Sequence, residues 1–120
     1  MSTDKIKLGK FGEKIAAKYL QDKGYELIVQ NFYTREGEID LVCKKNKVIH
    51  FVEVKTKTNK LFGWPEEEVT DEKLENIIDS AEIYLEEKKI KLEWQIDIVS
   101  IVINRSKNTA QIKYFENITT

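Results

Sequence analysis

"GEIDLVCKKNKVIHFVEVK", residues 37–55, holds two apolar runs of strand length joined by "KKNK" (44–47), which has the polarity and the asparagine of a hairpin turn. Side chains alternate between the faces of a strand, so the second run sends Ile49, Phe51, Glu53 and Lys55 one way and Val48, His50, Val52 and Val54 the other. Both sets are largely apolar, which marks a central strand covered on both faces. In the first run Glu38 and Asp40 share a face, and Ile39, Leu41 and Cys43 take the opposite one. A hairpin between the runs brings Asp40 close to Glu53. Asp40, Glu53 and Lys55 therefore sit in the sheet itself, where Val or Ile would pack better.

The flanking sequence supplies the layers. "KFGEKIAAKYLQDKG" (10–24) predicts a helix, with Leu8, Phe11, Ile15, Tyr19 and Leu20 recurring at three- and four-residue steps and Gly24 placed to end it. "YELIVQNFY" (25–33) reads as a strand ahead of the hairpin. The loop "TNKLFGWPEEEV" carries the only proline, and Thr70 then caps a long helix whose Leu74, Ile77, Ile78, Ala81 and Leu85 form one apolar stripe. "EWQIDIVSIVI", a turn at "NRSKN" and "AQIKYFE" complete the chain as two more strands. Helix, three strands, helix, two strands implies an α/β sandwich: one mixed central sheet of about five strands with a helix on each face.

A chain of 120 residues is one domain, residues 1–120, with room for a single layered core. One cysteine, Cys43, leaves no partner for an internal disulfide, and "MSTDKIKLGKFGEK" lacks the apolar segment of a secretion signal. With no run of membrane-spanning length, the expected setting is soluble, reducing and cytoplasmic. The net charge of −1 argues against bulk attraction to nucleic acid, but it is unevenly spread. Residues 44–60 hold six lysines against Glu53, whereas residues 61–95 hold eleven acids against four lysines.

Two carboxylates brought together on a half-buried sheet repel and lose hydration, so they need a shared proton or a cation. A hard divalent ion answers both needs. Mg²⁺ takes one or two carboxylates with waters and phosphate oxygens, acidifies a bound water and neutralises charge developing on phosphorus. Lys55, two residues from Glu53 on the same face, is placed to orient that water or to stabilise the transition state. The same residues also admit a plainer reading, a Glu53–Lys55 ion pair at a strand end with Asp40 closing a turn.

The stretches "KFGEKIAAKYL", "GY", the asparagine of "QNF", "GEIDLV", "HFVEVKTK", "FGWPEEEVT" followed by Lys73, "IDIVSI" and "IKYFEN" resemble, in order and spacing, the YraN-type family of small predicted endonucleases. That family is itself distantly similar to archaeal Holliday-junction resolvases and to the wider PD-(D/E)XK nucleases. The resemblance implies a restriction-endonuclease-like sandwich and assigns Asp40, Glu53 and Lys55 to that superfamily's Asp, Glu and Lys positions. It also singles out Glu13 as a first-helix ligand. On a helical wheel Glu13 lies about 20° from Leu20, at the border of the buried face. The implied protein is a metal-dependent endonuclease using Mg²⁺ or Mn²⁺ on DNA, structured or branched, and working as a homodimer. Asp40, Glu53 and Glu13 would hold the metal and Lys55 would assist the attacking water, with Lys57, Lys60 and Lys73 as phosphate contacts. The competing classes are a non-catalytic module that binds DNA or a repair protein, and an interaction domain that uses its acidic helix.

The chain departs from the family pattern at Glu68, where a small residue is favoured, and in having only Arg35 and Arg105 as arginines. His50 and Cys43 face away from the carboxylates by parity and read as packed strand residues. Trp64 reads as a loop anchor, with base stacking the alternative. Asp97, in an otherwise apolar strand, is either an outer carboxylate of the site or a hydrogen-bonded structural acid.

Overall fold

The computed structural model describes residues 2–61 and 63–119. The chain runs α1 (Ser2–Asp22), β1 (Glu26–Thr34), β2 (Gly37–Lys45), β3 (Val48–Lys57), a 3-10 turn (Pro65–Glu68), α2 (Asp71–Lys88), β4 (Glu93–Asn104) and β5 (Thr109–Phe115). The sheet has the order β1-β2-β3-β4-β5. Every neighbouring pair is antiparallel except β3 and β4, which are parallel and joined by α2 as the crossover. Ala16, Ala17 and Leu20 of α1 pack on Leu41, Val52, Val54 and Val99 on one face. Ile77, Ala81 and Tyr84 of α2 pack on Ile39, Val42, Phe51 and Ile96 on the other. This is the mixed five-stranded α/β sandwich that the sequence implies, and it is consistent with a restriction-endonuclease-like fold.

Local chemistry sets the element ends. Asn46 and Lys47 take φ of 52° and 66°, the paired left-handed conformation of a two-residue hairpin turn. Gly24, at φ 93°, closes α1 while the N–H of Tyr25 returns to the Leu20 carbonyl. Thr70 caps α2 by accepting from the Lys73 N–H.

Three features differ from the sequence reading. The first helix starts at Ser2 rather than Lys10, with Asp4 in its first turn, so it overhangs the sheet and supplies a wall beside the ends of β2 and β3. Phe11 is 53% exposed. The face of α1 that meets the sheet is centred on Gly12 and Ala16, and a Cβ on Gly12 would overlap the side chain of Thr56, so the helix lies too close for a phenylalanine on that line. Finally, Ile39 joins Val42 in the α2-side cluster whereas Leu41 and Cys43 pack on the α1 side. Ile39 and Leu41 thus face opposite ways, and the alternation slips by one residue between them, at Asp40.

Candidate active site

The slip at Asp40 coincides with a fork in the sheet. The β2–β3 ladder runs from Lys45–Val48 to Leu41–Val52. Past that pair β3 continues against β4 alone, from Glu53–Ile98 to Lys57–Val102. The Val54 N–H is satisfied instead by the Asp40 side chain, whose Oδ2 accepts from it at 2.8 Å. The overhanging N-terminal half of α1 faces the same opening. Together they frame an open cleft of about 700 Å³ that Glu13, Glu38, Asp40, Glu53 and Lys55 all line.

Carboxylates converge at the floor of this cleft. Glu13 of α1 with Glu38 and Asp40 of β2 each offer one oxygen, and these oxygens lie within 4.8 Å of one another. Asn31, at φ 54° in β1, donates from Nδ2 to Glu13 Oε1 at 3.0 Å and to Glu38 Oε2 at 2.6 Å, tying helix to sheet. Glu53 approaches from β3, in hydrogen-bond contact with Asp40 and 3.8 Å from Lys55 Nζ. Burial pushes the Asp40 carboxyl up to about 9, and the charges of Glu53, Glu13 and Glu38 add to it against the single Val54 N–H. Glu53 is also raised by burial, with Lys55 opposing, and Glu13 is raised by burial against its bond from Asn31. At neutral pH the metal-free Asp40–Glu53 pair therefore retains a proton.

These oxygen donors, crowded and half-buried, could hold a metal ion, and an all-oxygen set is of the kind that a hard divalent ion takes. The set differs in one respect from that expected. Asp40, Glu53 and Glu13 were the expected ligands, whereas the three mutually close oxygens belong to Glu13, Glu38 and Asp40, with Glu53 drawn toward Lys55. Glu38 was legible as the residue two before Asp40 on its face, but nothing local distinguished it from an ordinary exposed strand acid. Asn31 stood only as one matched letter. Its bridging role depends on a left-handed backbone that no sequence pattern announces.

The lysines are already engaged. Lys57 Nζ lies 2.8 Å from Glu68 Oε2, Lys60 Nζ lies 4.3 Å from the Trp64 ring centre, and Lys73 is close enough to Lys55 for the two charges to oppose one another. Lys113 covers Trp64 as well, at 3.3 Å, so the indole is a loop anchor between two cations. Asp97 is fully buried and does not line the cleft. It accepts from His50 Nδ1 at 2.6 Å, Gln95 Nε2 at 2.9 Å, the Asn117 N–H at 2.9 Å and the Tyr114 hydroxyl. It is the structural acid of the two readings. Burial also pushes the Cys43 thiol up to about 12, the state of an inert core residue.

Comparison with known sequences places this geometry. The model of the uncharacterised protein family UPF0102 matches residues 12–101. The chain belongs to the UPF0102 family. A UPF0102 protein of Syntrophomonas wolfei is 46% identical over 102 residues, covering 84% of this chain and 89% of that protein. UPF0102 relatives from Caldanaerobacter subterraneus (39% identical, 90% of this chain and 89% of the relative) and Clostridium botulinum strain Loch Maree (34%, 92% and 91%) match along nearly their whole length. The UPF0102 match runs from Gly12 in α1 to Ile101 within β4, and so includes Glu13, Asn31, Glu38, Asp40, Glu53, Lys55 and Lys73. Among the described residues no helix is long and apolar enough to cross a membrane.

Proposed function

We propose that this UPF0102 protein is a divalent-metal-dependent endonuclease that hydrolyses DNA phosphodiesters, with structured or branched DNA as its substrate class. The observation that carries the reading is the state of Asp40. It is held at a fork in the sheet, opposed by three other acids and supported by one N–H, in a cleft open to a large ligand. A protein selected only for stability has little reason to keep such a cluster. Asp97 shows the alternative, a buried aspartate satisfied by four donors.

In this reading Glu13, Glu38 and Asp40 hold Mg²⁺ or Mn²⁺, with Glu53 completing the acidic floor through Asp40. The ion supplies charge neutralisation at phosphorus and lowers the pKa of water to make a nucleophile near neutral pH. Asn31 fixes the Glu13 and Glu38 carboxylates, so their geometry is set before substrate arrives. Glu53 holds Lys55, whose ammonium faces the cleft and donates to the non-bridging oxygens as negative charge builds on them. Water adds to phosphorus, the P–O bond to the leaving strand breaks, and the departing oxygen takes up a proton.

The experiment is a panel of single-stranded, duplex, flap and four-way-junction DNA with Mg²⁺ and with Mn²⁺, run beside sizing of the free protein and its complexes for the homodimer. Wild type cleaves at least one substrate, and Asp40→Ala loses both metal binding and cleavage. Lys55→Ala keeps metal binding yet loses about 10²- to 10³-fold in cleavage, because its charge acts on the transition state. Cleavage that persists in Asp40→Ala identifies a contaminant, and tight binding without cleavage by wild type replaces the enzyme with a DNA-binding module.

A further inference from the structure

Glu68 ends the 3-10 turn, and Lys57 of β3 pairs with its carboxylate. Lys57 Nζ lies 2.8 Å from its Oε2, and the charges of Lys55 and Lys73 reach it as well. Lys55 and Lys57 stand on one face of β3, and Lys73 enters from the first turn of α2 close enough to Lys55 for the two charges to oppose one another. Ammonium groups this close repel unless an anion lies between them. Of the acids that bear on the Lys73 charge, Glu53 is already engaged with Asp40 and Lys55, which leaves Glu68.

Glu68 also differs from its neighbours in the turn. Glu66 accepts from Ser100 Oγ at 2.6 Å and Lys113 Nζ at 3.2 Å, and Glu67 accepts from the Trp64 N–H at 3.0 Å, so these two fasten the turn to the sheet and to itself. Glu68 makes its ion pair across the cleft wall, with its side chain 51% exposed against 21% for Lys57. The anion is the more exposed of the two. An ion pair this exposed contributes little and yields readily to a competing anion.

We propose that Lys55, Lys57 and Lys73 form a seat for a DNA phosphodiester next to the acidic floor, and that the Glu68 carboxylate fills this seat in the free protein. The seat explains why Lys57, at the cleft wall, is paired with an exposed acid while Lys73 stands close to Lys55. It accounts for Glu68 as a stand-in that the substrate displaces, so the acid weakens binding of any ligand that must place a phosphate at that position. The inference rests on the cleft being a DNA site, and it is tested without metal so that it can fail separately from cleavage.

The probe is a fluorescein-labelled single strand of about 12 nucleotides, titrated in EDTA at several salt concentrations and followed by anisotropy. Glu68→Gln and Glu68→Ala should each bind about 2- to 5-fold tighter than wild type, the range expected for removing one exposed ion-pair competitor. Their plot of log affinity against log salt should steepen by about 0.7, one further phosphate contact. Glu82→Gln, which removes an exposed acid from the outer side of α2, should do neither, and the gain should vanish when Glu68→Gln is combined with Lys57→Ala. Unchanged binding in both Glu68 variants overturns the seat. An equal gain in Glu82→Gln, or a gain that survives loss of Lys57, also overturns it, because bulk charge would then be the cause. If the predicted differences appear in a protein that cuts no DNA with any metal, the seat stands and the nuclease reading falls.

Discussion

Asp40 and Asp97 are the same residue type on strands of one sheet, and their carboxyls move in opposite directions. Burial alone would raise both. Asp97 is instead held below its ordinary value because bonds from His50, Tyr114, Asn117 and Gln95 outweigh its desolvation, whereas Asp40 receives one N–H and faces other acids. The sign of the pH dependence follows. A folded-state pKa near 9 lies above the unfolded value, so the stability linked to Asp40 is complete at acid pH and is lost as pH rises from about 4 toward 9. In EDTA the Tm of wild type should therefore fall across that window, while Asp40→Asn flattens the fall and raises the Tm at its alkaline end. Parallel profiles in the two proteins would show that Asp40 is not ionising under strain. Mg²⁺ should lift the wild-type Tm by binding only the folded state, and should leave Asp40→Asn unmoved. Asn31 provides a second measurement, since Asn31→Ala releases Glu13 and Glu38 and should weaken Mg²⁺ by roughly 10- to 100-fold in calorimetry without removing a ligand. Unaltered affinity would mean that the carboxylates position themselves. Among these residues alternation brought Asp40 near Glu53 and set Lys55 on the same face as Glu53, and the family resemblance singled the three out. It could not rank Glu38 as a ligand or foresee the pairing of Lys57 with Glu68, because those depend on how separate elements meet.

At the scale of elements, two glycines of α1 have opposite surroundings and should respond oppositely to the same substitution. A methyl on Gly12 would run into Thr56, whose Oγ1 is already buried without a hydrogen-bond partner, so Gly12→Ala must push the helix off β3. The expected cost is about 1–3 kcal/mol in urea denaturation, the range for overpacking a tight contact. Gly9 has nothing within 4 Å of such a methyl, and Gly9→Ala should stabilise the apo protein by up to about 1 kcal/mol through helix propensity. Equal effects would mean that α1 is not seated on Gly12. This close seating also explains what the sequence hid. Periodicity identified the helix and its general face, but an apolar stripe drawn through Phe11 ignored how near the backbone comes, and small residues mark such an approach more weakly than large ones mark burial. The strands were legible almost to the residue, because β-branched runs and turn asparagines mark both their bodies and their ends. The slip at Asp40 was not, since alternation assumes an unbroken pleat.

For the whole molecule, the parallel β3–β4 pair at the centre separates two polar systems. Asp40 sits at the fork where β3 leaves β2, and Asp97 sits on β4 beneath α1, where it links β3 through His50, β5 through Tyr114 and the segment after β5 through the Asn117 N–H. The first system crowds acids around a single N–H donor, and the second is complete within the chain. They share none of these hydrogen-bond partners, so changes in them should act independently. Asp97→Ala leaves His50 and other donors without their buried partner and should cost about 3–5 kcal/mol, with or without Mg²⁺. Asp40→Asn should leave the metal-free protein at neutral pH unchanged or more stable by up to about 2 kcal/mol, since the buried carboxyl at the fork no longer has to take up a proton on folding. In the double mutant the two effects should sum within about 0.5 kcal/mol, measured by urea denaturation in EDTA. A larger coupling would mean that strain at the cleft reaches the Asp97 network through β3 and β4. In that case Mg²⁺ binding to Asp97 variants that remain folded should weaken as well, and the separation of stability from site would be lost.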